Sequence, residues 1–564
     1  MRSVSDLLWK RRRYSALEPD EIFLDSQNLP SFDTAHMEGR IERPLAPSVY
    51  RIVLAGALLL GLIGLSQTFM LSVVAHDELA TWASENRLSE DSIIAERGLI
   101  TDRNGIKLAT NATASTSALY TAALREYPYG ESTAHVVGYV SYPKRDQNGN
   151  WYQDETIGIA GIESLYDATL RGENGTLIVE TDARGERASG YVVRAPKAGR
   201  DVALSIDADL QEASYRYVKE RADASFIGGA AAIMDVKTGE LLTLVSYPSF
   251  DPTIMSTGVP QETVQSYIDD PRAPFVDRGV VGLYTPGSIV KPFIALAALE
   301  ERTVTPQTTY VSRGQLVIPN PFNPDKPTIF RDWRAHGAVD MRRAIAVSSD
   351  VYFYIVGGGF EGERGMGVSK IYEHSRKFGF GMKTGFPLEE EPDGVVPNPE
   401  WKAQAFDESI WRVGDTYNTS IGQYGWQVTL LQSLRATAAL ANGGSLLSPV
   451  IVKDEPAARE ELNLDPAELE VVLEGMRMAV TEGTATSLAI PGLRVAAKTG
   501  TAETGARKEF TNSLVIGYFP YENPKYAFAV IMERSNAGTA LGASAVMRNI
   551  LEWVKVNRPE MAQP

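Results

Sequence analysis

Cysteine is absent from this chain of 564 residues, and histidine is scarce, with five residues. Without cysteine the protein has no disulfide bond, no thiolate nucleophile and no cysteine-ligated zinc site. Basic residues are outnumbered as well, because 55 Lys and Arg face 71 Asp and Glu and the formal net charge is -16. A chain this acidic repels phosphate backbones, so we predict that it binds no nucleic acid.

An apolar run without any charged residue extends from Ile52 to Ala75. Its length fits the roughly 20 apolar residues that a bilayer-spanning helix needs. It also exceeds the about 7 to 15 residues of the hydrophobic part of a cleaved signal peptide. We therefore predict an uncleaved signal anchor over 52–75, in preference to a buried core helix or a leader that is removed.

Arginines flank the run unevenly and predict its orientation. Arg40, Arg43 and Arg51 precede it, whereas Arg87 stands alone after it. By the positive-inside rule, the tail of residues 1–51 is cytoplasmic and the rest of the chain is outside. We assign no function to this tail.

Residues 76–205 have the pattern of a helical stalk followed by a small α+β domain. The stretch from His76 to about Ser92 is polar and periodic enough for a helix. An Asn104-Gly105 turn between apolar stretches predicts a hairpin, and the alternating run at 176–180 predicts a strand. This region contains no convincing nucleophile with a base, so we interpret it as a structural pedestal.

Residues 206–564 combine long helices with strands that are far apart in the sequence. Predicted strands lie near both ends, at 229–235, 241–245, 493–497, 513–519 and 526–532. Helical periodicity marks the middle, at 289–300, 341–356 and 428–442. We predict one α/β domain whose sheet joins sequence-distant strands and is interrupted by a helical insertion.

Three short motifs in fixed order carry the chemistry. They are Ser288-Ile-Val-Lys291, Ser348-Ser349-Asp350 and Lys498-Thr499-Gly500-Thr501. Together they supply a nucleophile, a base, a proton relay and a cationic anchor, which are the functional groups that serine acyl transfer requires.

The candidate nucleophile Ser288 follows the turn Thr285-Pro286-Gly287 at the predicted entrance of a helix. Lys291 lies three residues later, so the two side chains share one helical face. If its charge is disfavoured by burial, the lysine amine can accept the serine proton. Backbone N–H groups at the helix entrance can stabilise the developing oxyanion.

Both short motifs have copies elsewhere that we interpret as structural. Ser141 and Lys144 repeat the Ser-x-x-Lys spacing, but the intervening proline predicts a loop. Lys237 lies in a predicted hairpin turn, and Lys383 lies in a glycine-rich loop. Lys498, by contrast, is predicted to end a strand at 493–497, where it can face a cleft with its neighbouring hydroxyls.

In these motifs the chain resembles the class B penicillin-binding proteins, which are D,D-transpeptidases. Other stretches extend the resemblance over nearly everything after residue 90. These stretches are 97–105, 158–163, 285–288, 422–423, 441–444 and 483–485. The resemblance implies a single membrane helix, a pedestal and a transpeptidase domain with an antiparallel sheet, flanking helices and a helical subdomain.

The resemblance also implies roles for individual residues. Ser288 would attack the D-Ala-D-Ala amide of a peptidoglycan stem peptide, with Lys291 as general base and Ser348 relaying a proton to the departing amine. Asp350, Lys498, Thr499, Gly500 and Thr501 would form the substrate site, and Lys498, Thr499 and Thr501 would bind the substrate carboxylate. The N–H groups of Ser288 and Thr501 would form the oxyanion hole. β-Lactams would acylate the same serine.

Asp350 indicates a subgroup, because many relatives have Asn at that position. Together with Val351-Tyr-Phe-Tyr354 it makes the chain similar to the elongation-specific penicillin-binding protein 2 group. This similarity implies a multi-spanning glycan polymerase as partner and a place in the bacterial plasma (inner) membrane. The catalytic domain would then lie on the periplasmic side.

We predict no cofactor and no metal. Asp332 and His336 are four residues apart, but a structural zinc site takes four ligands, commonly with thiolate. We interpret the pair as a hydrogen-bonded turn.

Two other functions stay open on the sequence. A carboxypeptidase or β-lactamase on the same scaffold would need a group that activates water for deacylation, and the anchor and pedestal disfavour it. A non-enzymatic receptor for β-lactams would ordinarily carry several membrane helices and a His-Glu-x-x-His segment, and this chain has neither.

Overall fold

The computed structural model describes residues 46–85, 88–112, 123–147, 151–181, 187–320, 323, 325–505, 507–536 and 542–563. The chain divides into two compact units, residues 1–87 and 88–564. Most of the predicted cytoplasmic tail, residues 1–45, lies outside the described residues.

The first unit contains an apolar helix. Helix α1 (Pro47–Phe69) continues as a π-helical stretch over Met70–Val74, and α2 (His76–Glu85) follows. The stretch Pro47–Val74 is long enough to cross a membrane, and 18 consecutive residues within it have a mean hydropathy of 2.0. The helix begins five residues before the predicted start, because Pro47 fits the first helical position, where its missing N–H costs nothing. Arg51, which we had placed before the anchor, therefore lies within the helix.

The predicted stalk helix is wrong at its C-terminal end. Helix α2 ends at Glu85, and Leu88–Ile93 is a strand. This strand pairs antiparallel with Gly175–Glu180, so its backbone hydrogen bonds are satisfied by a distant segment. Long-range strand pairing has overridden a local helical pattern.

The described residues between 88 and 205 form mostly short strands, short α-helices and one 3-10 turn at Gly130–Ser132. The strands are β1 (Leu88–Ile93), β2 (Ile100–Thr101), β3 (Lys107–Asn111), β4 (Arg125–Glu126), β5 (Val140–Ser141), β6 (Lys144–Arg145), β7 (Trp151–Gln153), β8 (Ile157–Gly158), β9 (Gly175–Thr181), β10 (Arg187–Arg194) and β11 (Val202–Ala203). The helices are α3 (Ala134–Val137), α4 (Gly161–Leu165) and α5 (Asp167–Leu170). The hairpin predicted at Asn104-Gly105 is confirmed by the antiparallel pairing of β2 with β3.

The region from 206 onwards alternates long helices with the strands of a larger sheet. The strands are β12 (Gly228–Asp235), β13 (Leu241–Tyr247), β14 (Tyr310–Ser312), β15 (Gln315–Ile318), β16 (Thr328–Arg331), β17 (Gly337–Val339), β18 (Ser445–Leu447), β19 (Arg459–Glu461), β20 (Ala496–Thr504), β21 (Phe510–Phe519) and β22 (Tyr526–Asn536). The helices are α6 (Ala208–Ser225), α7 (Pro252–Thr257), α8 (Gln261–Asp269), α9 (Lys291–Glu300), α10 (Met341–Val347), α11 (Asp350–Gly358), α12 (Val368–Lys377), α13 (Pro399–Phe406), α14 (Val413–Ser420), α15 (Leu430–Ala441), α16 (Pro466–Glu482), α17 (Ala543–Asn557) and α18 (Pro559–Ala562).

The central sheet has five strands in the order β13-β12-β22-β21-β20, each antiparallel to its neighbours. This confirms the prediction of one sheet built from the two ends of the domain. Alternate residues of β12 pack on opposite sides: Ala230 and Ala232 join the core that contains α9 and α15, while Ala231 and Ile233 join the core that contains α6 and α17. Both faces of the sheet are therefore covered by helices.

A buried charge cluster lies at the centre of the pedestal. Glu163 accepts hydrogen bonds from Arg97 Nε at 2.5 Å and from Arg125 Nε at 2.7 Å, and its side chain is 0% exposed. Arg125 also donates to the carbonyl oxygen of Gly98 at 2.8 Å. The stretches 97–105 and 158–163, which the sequence singled out separately, thus meet at one ion-pair network.

No clear gap separates the pedestal from the larger region, since residues 88–564 form one compact unit. Ser205 Oγ donates to the carbonyl oxygen of Leu241 at 2.8 Å, and Leu204 forms a β-bridge with Val452. The domain boundary at 205 and 206 stays a prediction.

We expect Glu163→Ala to lower the free energy of unfolding by about 3–5 kcal/mol, because the buried Arg125 loses the one carboxylate that it contacts among the described residues, and Arg97 keeps only Asp167, at 2.8 Å. Urea denaturation followed by circular dichroism measures this change. Glu173→Ala is the control, since Glu173 pairs with Lys197 at the surface and such pairs contribute about 0–1 kcal/mol. Similar losses in both variants would contradict the prediction.

Candidate active site

Ser288 lies in a tight turn that leads directly into a helix. The 3-10 turn Gly287–Val290 precedes α9, which begins at Lys291, so the predicted helix entrance is confirmed with its first turn tightened. Gly287 has φ +55°, and a Cβ there would lie 2.7 Å from the carbonyl oxygen of Thr501. Only glycine allows this turn to lie against the strand that carries the third motif.

Ser348 lies at a break between two helices. We predicted one continuous helix over 341–356, and this is wrong, because α10 ends at Val347 and α11 begins at Asp350. Ser348 has φ 60° and ψ 41°, the left-handed conformation that ends a helix. Ser349 then caps α11, since its Oγ accepts from the N–H of Tyr352 at 3.4 Å.

Asp332 anchors this break. Its Oδ2 accepts from Ser349 Oγ at 2.9 Å, from the Val351 N–H at 3.1 Å and from Ser312 Oγ at 3.1 Å. Three hydrogen bonds to one buried carboxylate oxygen hold the turn that presents Ser348.

Lys291 is completely buried and points at the second motif. Its Nζ donates to the carbonyl oxygen of Ser348 at 2.9 Å, to Ser348 Oγ at 3.3 Å and to Asp350 Oδ1 at 2.6 Å. Within the described part of the chain, Lys291 makes no hydrogen bond with Ser288 Oγ. Lys291 follows Ser288 by about one helical turn, as the spacing predicts. Its direct hydrogen bonds, however, are with Ser348 and Asp350.

Lys498 also contacts the Ser348 hydroxyl. Its Nζ donates to Ser348 Oγ at 2.9 Å and to its neighbour's carbonyl oxygen, Thr499 O, at 2.8 Å. The residue lies inside β20 and not at its end, because the strand stays paired with β21 from Ala496 to Thr504. The third motif is thus a strand segment along its whole length.

Gly500 lies against the turn that carries Ser288. A Cβ at this position would lie 2.7 Å from the carbonyl oxygen of Pro286 and 2.8 Å from a side-chain carbon of Ile289. The protein's own nucleophile turn fills that space. The glycine therefore allows the first and third motifs to pack together.

Burial controls the charges at this site. It lowers the pKa of Lys498 well below its usual value, and the positive charge of Lys291 lowers it further, while Asp350 opposes both effects. Burial also raises the pKa of Asp350, against the opposing effect of Lys291. The site thus favours neutral forms of groups that are charged in water.

The copies of the motifs lie in other settings. Ser141 and Lys144 belong to the short strands β5 and β6, so they share no helical face. Lys237 lies in the turn between β12 and β13, as predicted. Lys383 lies in a loop and pairs with Glu390 at 3.0 Å.

The pair Asp332 and His336 lies between β16 and β17, outside any helix. Their side chains approach to 3.4 Å between Nε2 and Oδ1, and the Trp333 N–H donates to Asp332 Oδ1 at 2.9 Å. The Trp333 N–H gives the turn a hydrogen bond, as expected, but His336 Nε2 itself has no hydrogen-bond partner among the described residues. Burial lowers the pKa of His336.

Two contributions to the site escaped sequence reasoning. One is the anchoring of the Ser348 turn by Asp332, which was weighed as a metal ligand. The other is Thr484, whose Oγ1 accepts from Thr499 Oγ1 at 2.7 Å. The sequence had marked Thr484 only as part of 483–485, a stretch that resembles the class B penicillin-binding proteins and to which we had assigned no role.

Comparison with known proteins identifies the architecture. The family profile "Penicillin binding protein transpeptidase domain" matches residues 229–552, and "Penicillin-binding Protein dimerisation domain" matches residues 118–204. "Peptidoglycan D,D-transpeptidase MrdA" of Haemophilus influenzae is 33% identical over 467 residues, which cover 76% of this chain and 69% of the relative.

Solved structures give the same result. The crystal structure of Pseudomonas aeruginosa PBP2 in complex with WCK 5153 matches with a TM-score of 0.68 and 31% identity, covering 84% of this chain and 100% of that one. A chain described under "Structural coordination of polymerization and crosslinking by a peptidoglycan synthase complex" matches with a TM-score of 0.68 and 26% identity, covering 91% and 98%. With both domain profiles matched in order, the chain belongs to the class B penicillin-binding proteins, and its relatives there include the PBP2 group named MrdA.

Proposed function

We propose that this protein is a membrane-anchored peptidoglycan D,D-transpeptidase that cross-links stem peptides in cell elongation and is acylated by β-lactams. The observation that carries the proposal is the convergence of the three motifs. The nucleophile turn packs against the strand of Lys498, and Ser348 Oγ lies 3.3 Å from Lys291 Nζ and 2.9 Å from Lys498 Nζ.

In the acylation step, Ser288 Oγ bonds to the carbonyl carbon of the penultimate D-Ala. Lys291 accepts the hydroxyl proton as general base. The amide C–N bond breaks, and the terminal D-Ala leaves after its nitrogen takes a proton through Ser348. An amine of a second stem peptide then attacks the ester, forms the cross-link and returns a proton to Ser288.

Asp350 supports the base. Its carboxylate contacts Lys291 Nζ at 2.6 Å, and burial raises the pKa of the carboxyl. The contact positions the Lys291 amine beside Ser348 Oγ, at 3.3 Å, while burial lowers the cost of protonating Asp350.

Lys498, Thr499 and Thr501 bind the terminal carboxylate of the substrate in this proposal, next to Gly500. The N–H groups of Ser288 and Thr501 form the oxyanion hole. Thr484 orients the Thr499 hydroxyl through their 2.7 Å hydrogen bond.

The apolar helix anchors the enzyme in the bacterial plasma (inner) membrane, with the N-terminus in the cytoplasm and the catalytic domain in the periplasm. The partner in this proposal is a multi-spanning glycan polymerase of the elongation machinery. A related chain that covers 91% of this one is described as part of a peptidoglycan synthase complex, and this supports the partnership.

We expect Ser288→Ala to abolish covalent labelling by a fluorescent penicillin, because the acyl-enzyme ester cannot form without the hydroxyl. Ser141→Ala is the matched control and should label like wild type. The measurement is in-gel fluorescence of the purified full chain. Label retained in Ser288→Ala would refute the assigned nucleophile.

Carboxylate binding should take up a proton at Lys498. Burial holds the pKa of Lys498 low, so above that pKa the amine is neutral in the free enzyme. An anionic ligand favours the ammonium form, and non-covalent β-lactam binding to Ser288→Ala should therefore weaken by up to about tenfold per pH unit as the pH rises above this pKa.

Isothermal titration in buffers of different ionisation enthalpy measures the proton uptake directly. Adding Lys498→Gln to the Ser288→Ala background should remove both the uptake and the pH dependence. An uptake of zero in the Ser288→Ala protein at every pH measured would contradict the role of Lys498.

Transfer and hydrolysis differ in their products. When a partner polymerase extends lipid-linked glycan in the presence of the wild-type enzyme, we expect dimeric cross-linked stems, and none with Ser288→Ala. Chromatography of the digested glycan measures them. Release of free D-Ala without dimers would instead identify a carboxypeptidase.

A further inference from the structure

Three side chains that commonly ligate metals meet where the pedestal packs on the catalytic domain. They are His135 in α3, Asp277 in the segment that precedes the Ser288 turn, and Glu389 in the loop after α12. One ligand atom from each lies within 4.8 Å of the other two. His135 belongs to the stretch matched by the dimerisation domain, and the two acids belong to the stretch matched by the transpeptidase domain.

Two of these side chains are deeply buried with unsatisfied atoms. His135 is 9% exposed and Asp277 is 1% exposed. Neither His135 Nε2 nor Asp277 Oδ2 has a hydrogen-bond partner within the described ranges, although Asp277 Oδ1 accepts from the Gly279 N–H at 2.8 Å. An unsatisfied buried polar atom costs about 1–3 kcal/mol, so two of them in one cluster require an explanation.

The surroundings of the cluster are mostly apolar, and the nearby Arg278 is engaged by other partners. Phe250 packs edge-on against His135, with ring centroids 5.2 Å apart. The neighbouring Arg278 donates through Nε to Glu533 at 2.7 Å and through Nη1 to the Ala273 carbonyl oxygen at 3.3 Å. Burial raises the pKa of Asp277, and burial together with the charge of Asp277 raises the pKa of Glu389 to about 7.

We propose that His135, Asp277 and Glu389 bind a divalent transition-metal ion, with Zn²⁺ as the preferred occupant. One imidazole with two carboxylates suits zinc, whereas Mg²⁺ and Ca²⁺ prefer oxygen ligands throughout. Three protein ligands leave one tetrahedral position for water. Ligand atoms around such an ion lie about 3.3 Å apart, so the cluster closes by at most about 1.5 Å on binding.

An ion at this site would link the pedestal to the transpeptidase domain. Asp277 precedes Ser288 by eleven residues on the segment that enters the nucleophile turn. An ion held jointly with His135 fixes this segment to the pedestal. This site is separate from the Asp332 and His336 turn, and it does not depend on the proposed transpeptidase function.

A different explanation of the same geometry is a proton shared by Asp277 and Glu389, which needs no ion. Metal analysis separates the two. The full-length protein in detergent is stripped with a chelator, dialysed against ZnCl₂, desalted and measured by plasma mass spectrometry. We expect about one zinc per chain, and a rise in the thermal unfolding temperature that depends on zinc concentration.

The variants His135→Gln and Asp277→Asn should lose the zinc. The isosteric variant Glu389→Gln should raise the Kd for zinc at least tenfold. Co²⁺ provides a second readout, since its visible absorption reports the ligand set directly. Circular dichroism verifies that each variant is folded.

His374→Gln is the matched control. His374 is also buried beside two glutamates, but both of its ring nitrogens have partners, at 3.1 Å from Glu300 and 2.9 Å from Glu301. This variant and His336→Gln should retain the zinc. Wild-type protein that binds no zinc, or zinc that is lost in His336→Gln and retained in His135→Gln, would overturn the proposal.

Discussion

The active site depends on enclosing two lysine side chains beside one serine hydroxyl. Lys291 and Lys498 are both fully buried, and both reach Ser348 Oγ within hydrogen-bond distance. Two ammonium groups this close inside a protein repel each other, and burial penalises each charge. Asp350 compensates Lys291, while burial depresses the pKa of Lys498. Ser348 Oγ therefore contacts two amines in different electrostatic surroundings, one beside a carboxylate and one without.

The fold maintains this arrangement with rigid elements from distant parts of the chain. Lys498 is held by a strand that is paired with β21 along its entire length, and Lys291 begins a helix that is buried in the core. Ser348 lies on a left-handed residue whose turn is fixed by the buried Asp332. Sites built on strands and helix ends keep their geometry better than sites on free loops, which matters for proton transfer over hydrogen-bond distances.

The pedestal is connected to the catalytic domain by more than chain continuity. Its interior is organised by Glu163 between two arginines, and His135 of the same region lies beside Asp277 and Glu389 of the catalytic domain. Buried polar groups are costly unless they are satisfied, and His135 Nε2 and Asp277 Oδ2 have no hydrogen-bond partner among the described residues. The proposed ion would satisfy both and would couple the pedestal to the segment that leads to Ser288.

The sequence by itself determined the local chemistry. The apolar helix and the hairpin at Asn104-Gly105 followed from hydropathy and turn residues, which act over a few neighbouring residues, and the family followed from the resemblance of the three motifs to known sequences. The tertiary structure alone decided the strand at 88–93, the helix break at Ser348, the extension of β20 through Lys498, the anchoring role of Asp332 and the meeting of His135 with Asp277. Each of these depends on hydrogen bonds or burial contributed by residues far away in the chain, and no local pattern records which distant segment will supply them.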